Sequence, residues 1–176
     1  MRVVTCVFSF MAAAMASKNL HYSVPNIFKA VASNCTMPAD YVVNNFTTYT
    51  DKTDASLNTV SFRFLDADTN IDTTCQRNST SKPGGPSKNR YDCGNANVAF
   101  IYQTTGVAGL TLIEKACPGS APQFEASGLI TPELTCVDSS TGTLCHAQAR
   151  LEGDFDSFEP VPPKAPVRRV RGTWRN

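Results

Sequence analysis

The sequence predicts an all-β protein, an antiparallel β-barrel or sandwich stabilised by disulfides, and three observations carry that expectation. Apolar and polar residues alternate in short runs, as in Val60, Phe62 and Phe64 and again in Val98, Phe100 and Tyr102, the period of a half-buried strand. Clusters of Gly, Pro, Ser and Asn punctuate these runs at short spacing, and no segment sustains a helical period. Six of the seven cysteines lie beyond the N-terminal leader, an even set of the kind that staples small secreted domains.

The ends of the chain differ from its body. Residues 1–17 read as a secretory signal, with Arg2 as the basic start, Val3 to Met15 as the apolar stretch and Ala14-Met15-Ala16 as a small-x-small cleavage site. About 13 apolar residues fall short of the ~20 that span a bilayer, and no other stretch approaches that length. The expected location is therefore extracellular. Removal of the leader takes Cys6 with it and leaves Cys35, Cys75, Cys93, Cys117, Cys136 and Cys145. In an oxidising compartment these suggest three disulfides rather than metal ligands or a thiol nucleophile, with 15 pairings open. Cys136 and Cys145 flank the turn-rich VDSSTGTL, and Cys75 and Cys93 flank a polar Gly/Pro loop, so local bridges fit both pairs. Cys35 and Cys117 then pair by elimination.

Between Ser17 and Glu159 the chain has ten Lys or Arg against fifteen Asp or Glu, a net charge of −5. Beyond Glu159 come five basic residues and no acid. An acidic body argues against nucleic-acid binding. The domain expected is residues 18–158. Residues 159–176 (EPVPPKAPVRRVRGTWRN) form a basic, proline-rich tail whose composition predicts disorder. That tail fits a membrane or polyanion contact, a propeptide cut after Arg168-Arg169, or a solvated end without a role.

The elements follow in order. Ser17 to Ser33 reads as an extended arm with one short helical turn in IFKAVA, covering an edge of the core. DYVVNNFTTYT is a strand bulged near Asn44-Asn45. LNTVSFRFLDADTNIDTTC reads as a strand ending at Cys75, with Val60, Phe62 and Phe64 on one face and Ser61 and Arg63 on the other. After the loop RNSTSKPGGPSKN comes a second strand carrying Cys93, so a Cys75–Cys93 cystine would close the strand pair and contribute about 3 kcal/mol through loop entropy. GVAGLTLIEKAC is a further strand with Leu110 and Leu112 inward. QFEASGLITPELTC and LCHAQARLEGDFDSF are two more around the Cys136–Cys145 turn.

Catalytic chemistry has little support. The two histidines are His21 in the arm and His146 beside a cystine, and no nucleophile elbow, zinc helix or phosphate loop is present. Glu152 and Asp154 could in principle act as a glycosidase pair, although so many acids make such a pair easy to find by chance. Asp66, Asp68, Asn70 and Asp72 alternate as calcium ligands do, but the glycine and the twelfth-position glutamate of an EF-hand are missing; an acidic turn with solvent-facing strand positions is the simpler reading. No enzymatic activity and no cofactor are expected. Asn34, Asn45 and Asn78 begin intact glycosylation sequons and should lie on the surface. Tyr41, Phe46, Tyr49, Phe62, Phe64, Phe100 and Tyr102 could line a cleft, but are first of all core, with the tyrosines suited to a rim.

The segments YVVNNFTTYT, LNTVSFRFLDADTNIDTTC, NRYDCGNANVAFIY, LTLIEKAC and LTCVDSSTGTLCHAQARLEG, with the Tyr-x-Cys-Gly run at Tyr91 to Gly94, resemble the Alternaria alternata major-allergen family (the allergen-1-like domain) over roughly residues 35–155. The resemblance implies a small secreted fungal β-barrel without established enzymatic activity, and the Cys75–Cys93 and Cys136–Cys145 bridges. It also implies an effector or elicitor role, with a host plant extracellular defence protein of the thaumatin-like type as partner. A small phenolic ligand is the alternative partner. In the family's founding member the first cysteine joins two subunits into a homodimer; here Cys117 offers Cys35 an intramolecular partner, and the basic tail departs from the family pattern. A secreted hydrolase is the remaining, least supported alternative.

Overall fold

A computed structural model describes residues 20–84 and 89–161. The expected signal peptide, residues 85–88 of the polar loop, and residues 162–176 of the expected tail lie outside the described residues. Helix α1 (Asn26–Ala32) is followed by β1 (Asp40–Asp51), a 3-10 turn (Ala55–Leu57), β2 (Thr59–Asp66), β3 (Ile71–Arg77), β4 (Tyr91–Asp92) and β5 (Val98–Gln103). Then come β6 (Gly109–Ala116), β7 (Phe124–Ile130), β8 (Leu134–Asp138), β9 (Gly142–Ala147), β10 (Leu151–Asp154) and β11 (Ser157–Pro160). β11 thus takes in Glu159 and Pro160, the first two residues of the expected tail.

The strands form two antiparallel sheets stacked as an open sandwich, not a closed barrel. One sheet runs β3-β2-β1-β9-β8, with β10 also on β1; the other runs β11-β7-β6-β5-β4. The rail of the first sheet is β1. On one side it pairs with β2, and on the other its first half holds β10 (Val43 opposite Leu151) and its second half β9 (Thr48 opposite Cys145). The change of partner falls at the expected bulge, where the register with β2 shifts between Asn44 and Thr47 and Asn45 takes φ 55°. An asparagine tolerates that left-handed conformation better than most residues.

Alternation sets the core. Val60, Phe62 and Phe64 of β2 face inward, as do Leu110 and Leu112 of β6, all with 2% exposure or less. The aromatic rings interlock across the sheets: Phe62 meets Phe100 edge-on with centroids 5.0 Å apart, and Phe46 meets Tyr102 at 5.3 Å. The arm covers the β7–β11 edge, where Phe28 of α1, wholly buried, contacts Phe124 and Phe158. Arg90 and Glu125 form a two-pronged ion pair at 2.7 Å, each 11% exposed, tying the segment before β4 to β7.

Two glycines let the sheets touch where β10 crosses β7. A Cβ on Gly128 would lie 2.1 Å from the Asp154 carbonyl oxygen, and one on Gly153 would fall 2.7 Å from the Tyr41 hydroxyl and 2.6 Å from Ile130 Cγ2. Neither position has room for a side chain. The chain then crosses from one sheet to the other through Phe155, which is fully buried and whose N–H donates to the Ala39 carbonyl, while the Asp156 N–H donates to Ser127.

Three cystines are closed: Cys35–Cys117, Cys75–Cys93 and Cys136–Cys145, with Cα atoms 5.8, 4.2 and 4.0 Å apart. Cys35 is therefore bonded within its own chain. The stretch read as one strand from Asn58 to Cys75 is instead a hairpin. The Asp66 carboxylate accepts the Asp68 and Thr69 N–H groups and folds the chain over at residues 67–70, with Asn70 at φ 56°. Consequently Cys75 sits on β3 and Cys93 follows β4 of the other sheet. Their bond clasps sheet to sheet and does not close a strand pair. The Gly94 N–H donating to the Thr74 carbonyl and the Asn95 N–H donating to the Thr73 hydroxyl reinforce the clasp.

Candidate functional site

Three places concentrate chemistry. The first is the open mouth of the sandwich, where β1, β2 and β3 of one sheet face β5 of the other. Inward alternation continues past the apolar core to Thr48 on β1, Arg77 on β3 and Tyr102 on β5, and these residues with Asn58, Thr59 and Gln103 line a cavity of about 320 Å³. Tyr102 on its wall meets Phe46 of the core edge-on. The Arg77 guanidinium lies over the Tyr91 ring, 5.7 Å from its centroid. The ion pairs of the described residues join Arg63 to Asp72, Arg90 to Glu125, Arg150 to Glu152 and His21 to Asp154, and leave Arg77 out. Burial pushes the Tyr102 phenol up, while the Thr48 hydroxyl and the Arg77 charge pull it partly back.

The second place is a buried pair of acids. On β6 the inward positions read Leu110, Leu112, Glu114, Ala116, so Glu114 stands where a hydrophobic residue is expected, with no exposed surface. Asp66, 1% exposed, faces it from the β2–β3 turn. Both Glu114 oxygens and Asp66 Oδ2 lack a well-oriented hydrogen-bond donor. Burial and then the Asp66 charge push Glu114 up to about 8, with the Thr69 hydroxyl offsetting part of the rise. Burial also raises Asp66, against the opposing pull of the Thr69 and Asp68 amides. The nearby Tyr22 phenol, which donates to the Pro38 carbonyl, is raised by burial and by both carboxyls. At neutral pH the pair therefore holds a proton. Glu114 has no exposed surface, although its residue borders a surface pocket with Thr69 and Asn95. The alternation that turns Leu110 and Leu112 inward reaches Glu114 two residues further on, so its place is legible in the sequence.

The third place is the β8–β9 hairpin. Gly142 is the one buried residue between positions 131 and 150. Only Leu134 and Ala147, at its base, pack against the core, so beyond them the hairpin depends on its pairing with β1 and on the Cys136–Cys145 cystine, which joins directly opposed residues. Val137 faces Leu144 across the strands, at 62% and 48% exposure, and Tyr49 of β1 continues the row beyond Leu144.

The structure separates the other residues singled out by sequence. Tyr41, Phe46, Phe62, Phe64 and Phe100 are core, leaving Tyr49 and Tyr102 at the rim. Tyr41 was expected to suit a rim, yet its hydroxyl is buried without a partner. Glu152 and Asp154 share a shallow depression with Asp40. They are more than half exposed, Glu152 pairs with Arg150, and nothing there excludes water from a reacting bond. His146 is an exposed strand residue opposite Thr135 and Thr47. In the Asp66–Asp72 segment, Asp72 pairs with Arg63 on the surface, whereas Asp66 turns inward and not to solvent as expected. Among the described residues no three His, Cys, Asp or Glu side chains gather as metal ligands would. Nor is any helix among them long and apolar enough to cross a membrane. Asn34 and Asn45 are exposed; Asn78 is half-buried, its Oδ1 accepting from the Thr80 N–H and hydroxyl.

No protein-family model matches the chain, and no curated protein matches it in sequence. Among solved structures, the crystal structure of Alternaria alternata allergen Alt a 1 is similar, with a TM-score of 0.50 and 16% identity over 72% of this chain and 92% of that one. The two-sheet architecture, with its disulfide staples, is an Alt a 1-like fold.

Proposed function

We propose that this chain is a secreted fungal binding protein, an effector or elicitor, that engages a host plant extracellular defence protein through the β8–β9 hairpin. One observation carries the reading: a twenty-residue excursion with a single buried residue is locked by its own cystine and presents the Val137–Leu144 pair to solvent. An exposed apolar pair on a rigid hairpin has no folding role to justify it and suits a contact surface. The signal-like leader, the paired cysteines and the likeness to a fungal allergen support a life outside the cell, where Asn34, Asn45 and Asn78 would be open to glycan transfer. A partner of the thaumatin-like type comes from the family resemblance. The phenolic-carrier reading has less behind it, because only Tyr49 and Tyr102 of the seven aromatic candidates reach the rim.

The test is co-precipitation from plant apoplastic fluid with wild-type protein and with Val137→Asp/Leu144→Asp. The wild type should enrich a host protein that the double variant loses, with both proteins folded at the assay temperature by circular dichroism, since two facing aspartates on the surface lower the melting temperature only modestly. Enrichment of nothing above a tag control, or equal capture by both proteins, would refute the assignment.

A further inference from the structure

The mouth between the sheets holds a charge without an acidic partner among the described residues. Arg77 is half-buried, its stem packed inward at the end of β3 and its guanidinium resting on Tyr91. A guanidinium carries five N–H donors in a planar fork matched to a carboxylate. Among the described residues it has no acidic partner, although the body of the domain has fifteen acids against ten bases. Around it stand the hydroxyls of Thr59, Thr48 and Tyr102, the last two bonded to each other, and the amides of Gln103 and of Asn58, whose Oδ1 accepts the Asp51 N–H. Tyr102 adds a ring on the wall, fixed edge-on by Phe46.

We propose that this mouth is a binding site for a hydroxylated carboxylate, specifically a hexuronic acid residue of an acidic polysaccharide. The fork of Arg77 takes the carboxylate with two parallel charge-assisted hydrogen bonds, the strongest anchor available to such a group. The hydroxyl and amide side chains take the ring hydroxyls, each of which both donates and accepts, as do its partners. The Tyr102 ring offers an apolar surface to the C–H face of the sugar. A cavity of about 320 Å³ is at the small end of ligand sites, the size for one sugar residue of a longer chain. Tyr49 borders both this mouth and the row that runs through Leu144, but Arg77 and its neighbours are not part of the hairpin, so the site stands whether or not that hairpin binds a host protein.

The probe is D-glucuronate, titrated into the full secreted chain and followed by the Arg77 side-chain N–H and the Thr48 and Gln103 amide resonances in nitrogen-15-labelled protein. D-glucose and acetate are the controls. Glucuronate should shift all three sets of signals with one saturating curve, and bind at least about tenfold more tightly than either control. Arg77→Gln should lose about ten- to a hundredfold in affinity, and Arg77→Lys, which keeps the charge without the fork, should fall between. Comparable unfolding midpoints for the variants would show that the loss is local. Saturation by glucose as tight as by glucuronate would overturn the role of Arg77. Acetate binding as tightly as glucuronate would overturn the part assigned to the hydroxyl and amide lining. No response to glucuronate in this region, or undiminished binding by either variant, would overturn the proposal as a whole.

Discussion

Replacing Glu114 by glutamine should abolish most of the pH dependence of stability between pH 5 and 8. In the folded protein the Glu114 carboxyl is raised from the ordinary 4.5 to about 8, chiefly by burial and then by the Asp66 charge. Between those values the native state binds a proton that the unfolded chain has released, so stability is full below about pH 4.5 and falls as pH rises through 8. At about 1.4 kcal/mol per pH unit the loss reaches ~5 kcal/mol, an upper figure because relaxation and water entry would soften it. Such a loss rivals the whole stability of a small domain. Asp66 is raised by burial too and adds loss of the same sign, while Tyr22 titrates above this window and stays neutral throughout it. Urea unfolding from pH 5 to 8.5 is the assay. The wild-type midpoint should drop steadily with pH, and that of Glu114→Gln should stay nearly level and overtake it on the alkaline side. A flat wild-type profile, or a glutamine variant that retains the slope, would refute the argument from burial.

Two further outcomes follow from the seams of the sandwich. Arg90→Met strands the 11%-exposed Glu125 carboxylate and should cost roughly 3–5 kcal/mol in chemical denaturation; Arg90→Met/Glu125→Leu should recover much of it, because a buried ion pair is costlier to break than to replace. Gly128→Ala places a Cβ 2.1 Å from the Asp154 carbonyl, so the β7–β10 crossing must open, at about 2–3 kcal/mol and several degrees of melting temperature. An alanine variant as stable as the parent would mean that the two strands do not cross so closely.

How much of this was legible in the sequence depends on which force sets each element. Alternation read Val60, Phe62, Phe64, Leu110 and Leu112 correctly, because burial on one face imposes a period of two whatever the partner strand. The bulge near Asn44-Asn45 was visible as a polar interruption of the same pattern. The hairpin inside Asn58–Cys75 was not seen, since its turn is made by the Asp66 carboxylate binding two backbone amides, an interaction that leaves only an acidic run in the sequence. For the same reason the Cys75–Cys93 bond was placed within a strand pair when it joins two sheets: spacing measures chain length, not which layer a strand enters. The mouth was harder still. Arg77 was read as the first residue of a polar loop, and its approach to Tyr102 depends on the stacking of sheets that no local pattern reports. The exposure of the β8–β9 hairpin also escaped, because alternating residues around a cystine look alike with or without a core beneath them.

The hairpin also says something about how this protein can change. The chain leaves β7 at Ile130 and re-enters at Leu151, and Ile130 Cγ2 lies so near Gly153 that a single added carbon would collide with it. Departure and return are thus neighbours, and the intervening twenty residues act as a cassette plugged into a finished body. Changes at its tip, around residues 137–142, leave the Phe62–Phe100 core and the Glu114–Asp66 pair untouched, while its base must keep the pairing of β9 with β1 and the packing of Leu134 and Ala147. A lineage under pressure to follow a moving target could rewrite that cassette rapidly while conserving everything that makes the domain fold. Divergence concentrated between positions 131 and 150 is then the expected signature among its relatives.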